Sequence, residues 1–131
     1  MNGQFGLEVG SNIENLSRVS NFIGNSMLKF GLNDYEQLKI QMAVDEVITN
    51  IIKYGNLGEK NKIQVKCQKS ENEIKIVIED KGKPFDPTKT EQKSLSNDSE
   101  KMRVYFTKRN MNESRHEFKD GKNVLTLIKR I

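Results

Sequence analysis

Glu46 and Asn50 stand four residues apart inside an apolar helical pattern, a carboxylate and a carboxamide on one helix face. The amide oxygen of Asn50 suits a hard cation such as Mg²⁺, and Glu46 is placed to orient or deprotonate an attacking hydroxyl. That is a layout for phosphoryl transfer. The same two residue types also occur on solvated helix faces, so the pair gains weight only from a second segment downstream. It reads Ile74-Lys75-Ile76-Val77-Ile78-Glu79-Asp80-Lys81-Gly82-Lys83-Pro84-Phe85-Asp86-Pro87. Alternation of Ile74, Ile76 and Ile78 predicts a strand that ends in a turn. Asp80 then sits at the strand terminus, where an ionised carboxylate, which only accepts hydrogen bonds, can take the amino group of adenine. Gly82 lets the backbone come close to a ligand. A plain β-turn draws on the same residue types.

The elements that must position these residues are legible on either side. Ser11-Asn12-Ile13-Glu14 has capping-box spacing, and Ile13, Leu16, Val19, Phe22, Ile23 and Met27 continue with helical period to an end near Gly31. Asn33 or Asp34 can cap a second helix whose apolar face is Leu38, Met42, Val44, Val47, Ile48, Ile51 and Ile52. Glu46, Asn50 and Lys53 run up a neighbouring stripe, and Gly55 and Gly58 close the helix. Lys53 reads either as a solvated charge or as a phosphate or partner contact. Strands near 61–69 and 73–80 should pair antiparallel across their short connection. The stretch from Thr88 to Ser99 holds almost nothing apolar and cannot pack. A last helix, about 100–112, and strands at about 114–119 and 123–130 follow, the strands joined by the hairpin signal Asp120-Gly121. The architecture implied is an α/β two-layer sandwich in which about three helices cover one face of a mixed, mostly antiparallel sheet. A base bound between the second helix and the end of the Asp80 strand would rest on residues such as Ile52 or Val77.

Composition narrows the function classes. At 131 residues the chain fits one domain, 1–131. The net charge of +4 is modest and interspersed, without a basic stripe or interleaved aromatics, which argues against direct nucleic-acid binding. The single cysteine, Cys67, is in phase with Ile63 and Val65 and reads as core filler. One histidine, His116, with no soft ligand near it in sequence, makes no metal cluster and reads as an ordinary strand residue. The N-terminus lacks the pattern of a secretory signal, and no apolar run approaches the ~18 residues of a membrane span, so the expected location is cytoplasmic with no membrane partner.

Taken together, the two segments resemble the anti-sigma-factor serine/threonine kinases of the GHKL ATPase superfamily, whose nucleotide fold is called the Bergerat fold. Leu7-Glu8-Val9 and Ser11 look like the family's first strand and helix cap, and Leu16-Ser17-Arg18-Val19 like its first helix. Ala43-Val44-Asp45-Glu46 through Asn50-Ile51-Ile52-Lys53-Tyr54-Gly55 resembles its Asn-containing box, and Asp80, Gly82 and Phe85-Asp86-Pro87 its first glycine box. Asp120-Gly121-Lys122-Asn123-Val124-Leu125-Thr126-Leu127 looks like the closing hairpin, with Thr126 in the position of a threonine that helps hold adenine. By this resemblance the cofactors are ATP and Mg²⁺, Glu46 is the general base and Asn50 the Mg²⁺ ligand. Asp80 and Thr126 read adenine, Gly82 turns at the ring edge, Phe85 and Lys53 belong to the nucleotide site, and about 88–100 is a flexible lid.

One box departs from the pattern. Where the family has a glycine-rich segment around the phosphates, this chain has Glu100-Lys101-Met102-Arg103, with Lys101 and Arg103 in place of glycines. Long cationic side chains cannot reproduce the backbone approach that glycine permits, but they can neutralise phosphate charge from a distance. Two functions stay open on this evidence. One is a kinase that sequesters a sigma factor and phosphorylates a Ser/Thr of an anti-anti-sigma, STAS-type partner, with a homodimer implied by analogy. The other is a pseudokinase or binding module of the same fold acting by sequestration alone. The ATPase module of a sensor kinase or a DNA-handling machine is disfavoured because the chain ends at Ile131 with no added domain.

Overall fold

The computed structural model describes residues 3–55, 58, 60–88 and 110–131. The expected last helix at about 100–112, most of the lid, and Lys101 and Arg103 lie outside the described residues apart from short ends.

Chain order is β1 (Gly3–Gly10), a short 3-10 turn (Ile13–Asn15), α1 (Leu16–Lys29), α2 (Asp34–Tyr54), β2 (Lys62–Lys69), β3 (Glu73–Asp80), β4 (Glu113–Lys119) and β5 (Lys122–Arg130). The strands form one sheet in the order β1-β2-β3-β5-β4, and every described pairing is antiparallel. The α/β layering expected from the sequence is therefore present, with a sheet that is antiparallel throughout the described strands.

Local chemistry sets the element ends. The amide of Glu14 donates to Asn12 Oδ1 at 2.9 Å, so Asn12 rather than Ser11 caps the turn ahead of α1. Ser11 instead donates its backbone N–H to the Asn61 carbonyl at 3.0 Å, closing the end of β1 onto the segment before β2. At the far end of α1, Gly31 takes φ +87°, the Gly31 N–H reaches the Leu28 carbonyl and the Leu32 N–H reaches that of Met27. That double bond is a Schellman stop, and only a residue tolerant of left-handed angles fits its turn. Asn33 begins α2 by accepting the Glu36 N–H at 2.8 Å, with Asp34 and Glu36 in the first turn to complement the helix dipole. The β4–β5 hairpin turns through Asp120 (φ 55°) and Gly121 (φ 76°), the two positive angles that match the twist of adjacent strands.

The core lies between the two helices and one face of the sheet. Val19, Ile23 and Met27 of α1 and Ile40, Val44, Val47, Ile48 and Ile51 of α2 pack on Val9, Ile63, Val65, Cys67, Ile74, Ile76, Ile78, Leu125 and Leu127. Cys67 is fully buried, and burial pushes its thiol up to about 12 despite a hydrogen bond with Ser26, which fits the core-filling role. Register then assigns each strand residue to a face. The row Val9, Ile63, Asp80, Asn123, Phe118 faces the helices, whereas the row Gly6, Lys66, Val77, Thr126, Arg115 lies on the opposite face, which no described helix covers. Among the described residues no helix is long and apolar enough to cross a membrane.

Candidate functional site

Asp80 and Asn123 are one polar pair at the end of the helix-facing side of the sheet, directly opposite each other on β3 and β5 and only 5% and 3% exposed. A carboxylate placed there must be hydrogen-bonded to be tolerated. Its Oδ1 accepts from the Gly82 backbone N–H at 2.9 Å and from Asn123 Nδ2 at 3.0 Å. The first bond is an Asx turn that folds the chain back immediately after the strand. Oδ2 of Asp80 accepts no hydrogen bond among the described residues, which leaves one carboxylate oxygen for a donor brought by a ligand.

Asn123 organises the loop that leaves β3. Its Nδ2 also donates to the Lys83 carbonyl at 2.8 Å, and its Oδ1 accepts the Phe85 N–H at 2.9 Å. Farther along the loop, Asp86 Oδ1 accepts from both the backbone N–H and the hydroxyl of Thr88, at 2.9 and 2.7 Å, and Thr88 is buried. The loop is then fastened to α2, because Asn50 Nδ2 donates to the Pro87 carbonyl at 3.1 Å. This bond orients the amide with its nitrogen on the protein. Asn50 Oδ1 accepts no hydrogen bond among the described residues, and an amide oxygen is a hard donor of the kind that suits a divalent cation.

Glu46 lies one turn earlier on the same side of α2 and is 2% exposed. Its neighbour Asp45 points elsewhere. Asp45 Oδ2 accepts the Ser20 hydroxyl of α1 at 3.3 Å, and burial pushes its carboxyl above the ordinary value, partly offset by that hydroxyl. Helical rotation of about 100° per residue sets the two acids on different sides of α2, Asp45 toward α1 and Glu46 on the side that carries Asn50.

Of the residues singled out from sequence, Asn50, Asp80, Gly82 and Phe85 belong to a single hydrogen-bonded assembly spanning α2, the loop and the strand end. Lys53 is exposed on the last turn of α2. Thr126 is a correction. It pairs with Val77 on the uncovered face of the sheet, so its side chain leaves the strand on the side away from Asp80. Val77 is excluded as a wall for a base by the same register, whereas Ile52 packs against the helix-side core. Asn123 takes the place beside Asp80 that was expected of Thr126. Its signal was present in sequence: Asp120-Gly121 fixes the hairpin, and Asn123 alternates in phase with Leu125 and Leu127, whereas Thr126 does not. The Pro87 carbonyl carries no sequence signal, since its role depends on where the loop meets α2.

The donor set suits a nucleotide with its metal better than a metal alone. Among the described residues no three His, Cys, Asp or Glu side chains form a metal-binding group. A single amide oxygen fits Mg²⁺ only when phosphate oxygens and waters complete the shell, which is the usual way that ion is held.

The family model of the histidine kinase-like ATPase domain matches residues 9–129. Among solved structures, that of the RsbU and RsbW domains of Rv1364c from Mycobacterium tuberculosis superposes with a TM-score of 0.72 at 16% identity, covering 98% of this chain and 32% of that one. The chain thus spans about a third of that structure's length, and at this identity the likeness is one of fold. The catalytic domain of the histidine kinase ThkA, in a nucleotide-free form, superposes with a TM-score of 0.49 at 13% identity, over 96% of this chain and 97% of that one. No curated protein matches the chain.

Proposed function

Because the chain belongs to the histidine kinase-like ATPase domain family, we propose that it is an ATP-binding regulator that sequesters a sigma factor and phosphorylates a Ser/Thr of an anti-anti-sigma partner. The observation that carries the ATP reading is the bond from Asn50 to the Pro87 carbonyl, because it joins the helix bearing Glu46 to the loop ordered by Asp80 and Asn123. The finer reading, sigma-factor sequestration with transfer to a partner, is supported by the sequence resemblance to anti-sigma-factor kinases and by the fold shared with a structure that contains an RsbW domain.

Each residue has a chemical task in this proposal. Asp80 Oδ2 accepts the exocyclic amino group of adenine, and Asn123 holds the other carboxylate oxygen. Asn50 Oδ1 would hold Mg²⁺, and that ion would supply positive charge against the phosphate oxygens. Glu46 accepts the proton from the partner's hydroxyl as that oxygen bonds to the γ-phosphorus and the bond to the β–γ bridging oxygen breaks, with ADP leaving. The phosphate on the partner then adds negative charge at the contact and weakens its hold on this protein.

Incubation with γ-labelled ATP and a STAS-type partner tests the proposal. Label should appear on the partner, and Glu46→Gln should lower transfer by about 100-fold or more while ATP affinity stays within about threefold. Transfer by Glu46→Gln at the original rate would remove Glu46 from the chemistry. Lys101 and Arg103 in the place of glycines favour a second reading, a binding module of the same fold, and ATP binding without any label transfer would select it.

A further inference from the structure

His116 adds a fourth close hydrogen-bonding partner to the Asn123 carboxamide, and it comes from the sheet rather than from the loop. His116 Nε2 lies 2.8 Å from Asn123 Oδ1, diagonally across the β4–β5 ladder. The other short contacts of that amide go to Asp80, Lys83 and Phe85. A carboxamide offers two donor hydrogens and two lone pairs, and here all four are engaged. The orientation is fixed by groups with no choice of role. Phe85 contributes a backbone N–H, which can only donate, and Lys83 a carbonyl, which can only accept. Oδ1 must therefore face His116, so Nε2 of His116 must carry the proton and donate. That holds for the Nε2–H neutral tautomer and for the imidazolium alike.

We propose that His116 is a positioning residue for base recognition, locking the Asn123 carboxamide so that Asp80 presents its second oxygen to the amino group of an adenine ring. The inference rests on the ATP reading above. Turning the amide over would set its oxygen against the Asp80 carboxylate and its nitrogen against two donors. Among the described residues, His116 is the clamp on Oδ1 that belongs to the sheet, where it shares a row with Leu125 and Ile78. Phe85, Lys83 and Gly82 are all carried by the loop, so they are held by Asn123 as much as they hold it. Without the imidazole donor a buried lone pair of Asn123 loses its partner, and the amide gains freedom at the position that sets the hydrogen-bonding sense of Asp80.

The test compares ATP with inosine triphosphate, whose ring has an oxygen where adenine has the amino group. Titrate both into the unaltered protein, His116→Phe and His116→Gln. The expected result is a preference for ATP that falls about tenfold in His116→Phe through ATP alone, with the inosine nucleotide unchanged. Glutamine carries an amide N–H at nearly the position of Nε2, so His116→Gln should restore the preference to within about threefold. A parallel loss of both nucleotides, an unchanged ratio, or no recovery with glutamine overturns the role of His116 and leaves the ATP reading standing. Failure of the unaltered protein to bind ATP overturns both.

Discussion

Two cross-strand pairs on β3 and β5 lie three residues apart and differ in everything that matters for function. Asp80 and Asn123 face the helices, are buried, and hold the start of the loop after β3, which Asn50 of α2 fastens farther along at Pro87. Val77 and Thr126 face away from the helices and pair on the uncovered side. Residue type alone favours Thr126 as a hydroxyl donor near a base, but strand parity decides, since an odd offset moves a side chain through the sheet. Neighbouring acids on α2 repeat the lesson in helical form: Glu46 is buried toward the site side of the helix, while Asp45 turns to Ser20 of α1.

Substitutions sharpen the contrast in order of expected size. Asp80→Ala should weaken ATP binding by about 100-fold in a calorimetric titration, because it removes a charge-assisted acceptor and strands Asn123 and the Gly82 amide. An effect below about threefold would detach Asp80 from the site. Asn123→Ala should cost about tenfold in the same titration, since it releases the loop and one oxygen of Asp80 but leaves the carboxylate in place. Thr126→Ala should change ATP affinity by less than about twofold; a loss matching that of Asn123→Ala would mean that the two pairs exchange faces in solution.

The smallest effect concerns Asp45 and is one of stability. Its folded carboxyl titrates above the ordinary 3.8, so between that value and the raised one the folded state binds more protons than the unfolded state. Stability therefore falls as pH rises through that window. Asp45→Asn should raise the melting temperature at pH 7 by no more than about 2 °C, and the gain should vanish as pH drops below the ordinary carboxylate value. A gain that grows on acidification would reverse the sign of the argument.

Much of this arrangement is written plainly in the chain, and the failures have identifiable causes. Ile74, Ile76 and Ile78 announce β3, Asn33 announces α2, and Asp120-Gly121 announces the last hairpin, because alternation, capping and turn chemistry are local. The pairing of Glu46 and Asn50 on one side of α2 follows from helical period. The family motif points to Thr126, but the hairpin at Asp120-Gly121 sets the strand phase and puts Thr126 on the other face of the sheet from Asp80. The exchange of Ser11 for Asn12 as cap arose because a 3-10 turn, with its shorter period, precedes α1. His116 reads as an ordinary strand residue in sequence because its partner is diagonal across a ladder, a relation that depends on the register.

The central claim is that the α2 amide and the β3 acid serve one nucleotide, and titration of ATP with and without Mg²⁺ into the unaltered protein and Asn50→Ala tests it most directly. Reading the ratio of the two affinities cancels any loosening of the Pro87 contact, which is common to both arms. The account predicts that Mg²⁺ tightens ATP binding by about tenfold in the unaltered protein and that Asn50→Ala removes this gain. Absence of ATP binding in either condition, or a Mg²⁺ gain undiminished in Asn50→Ala, would contradict it.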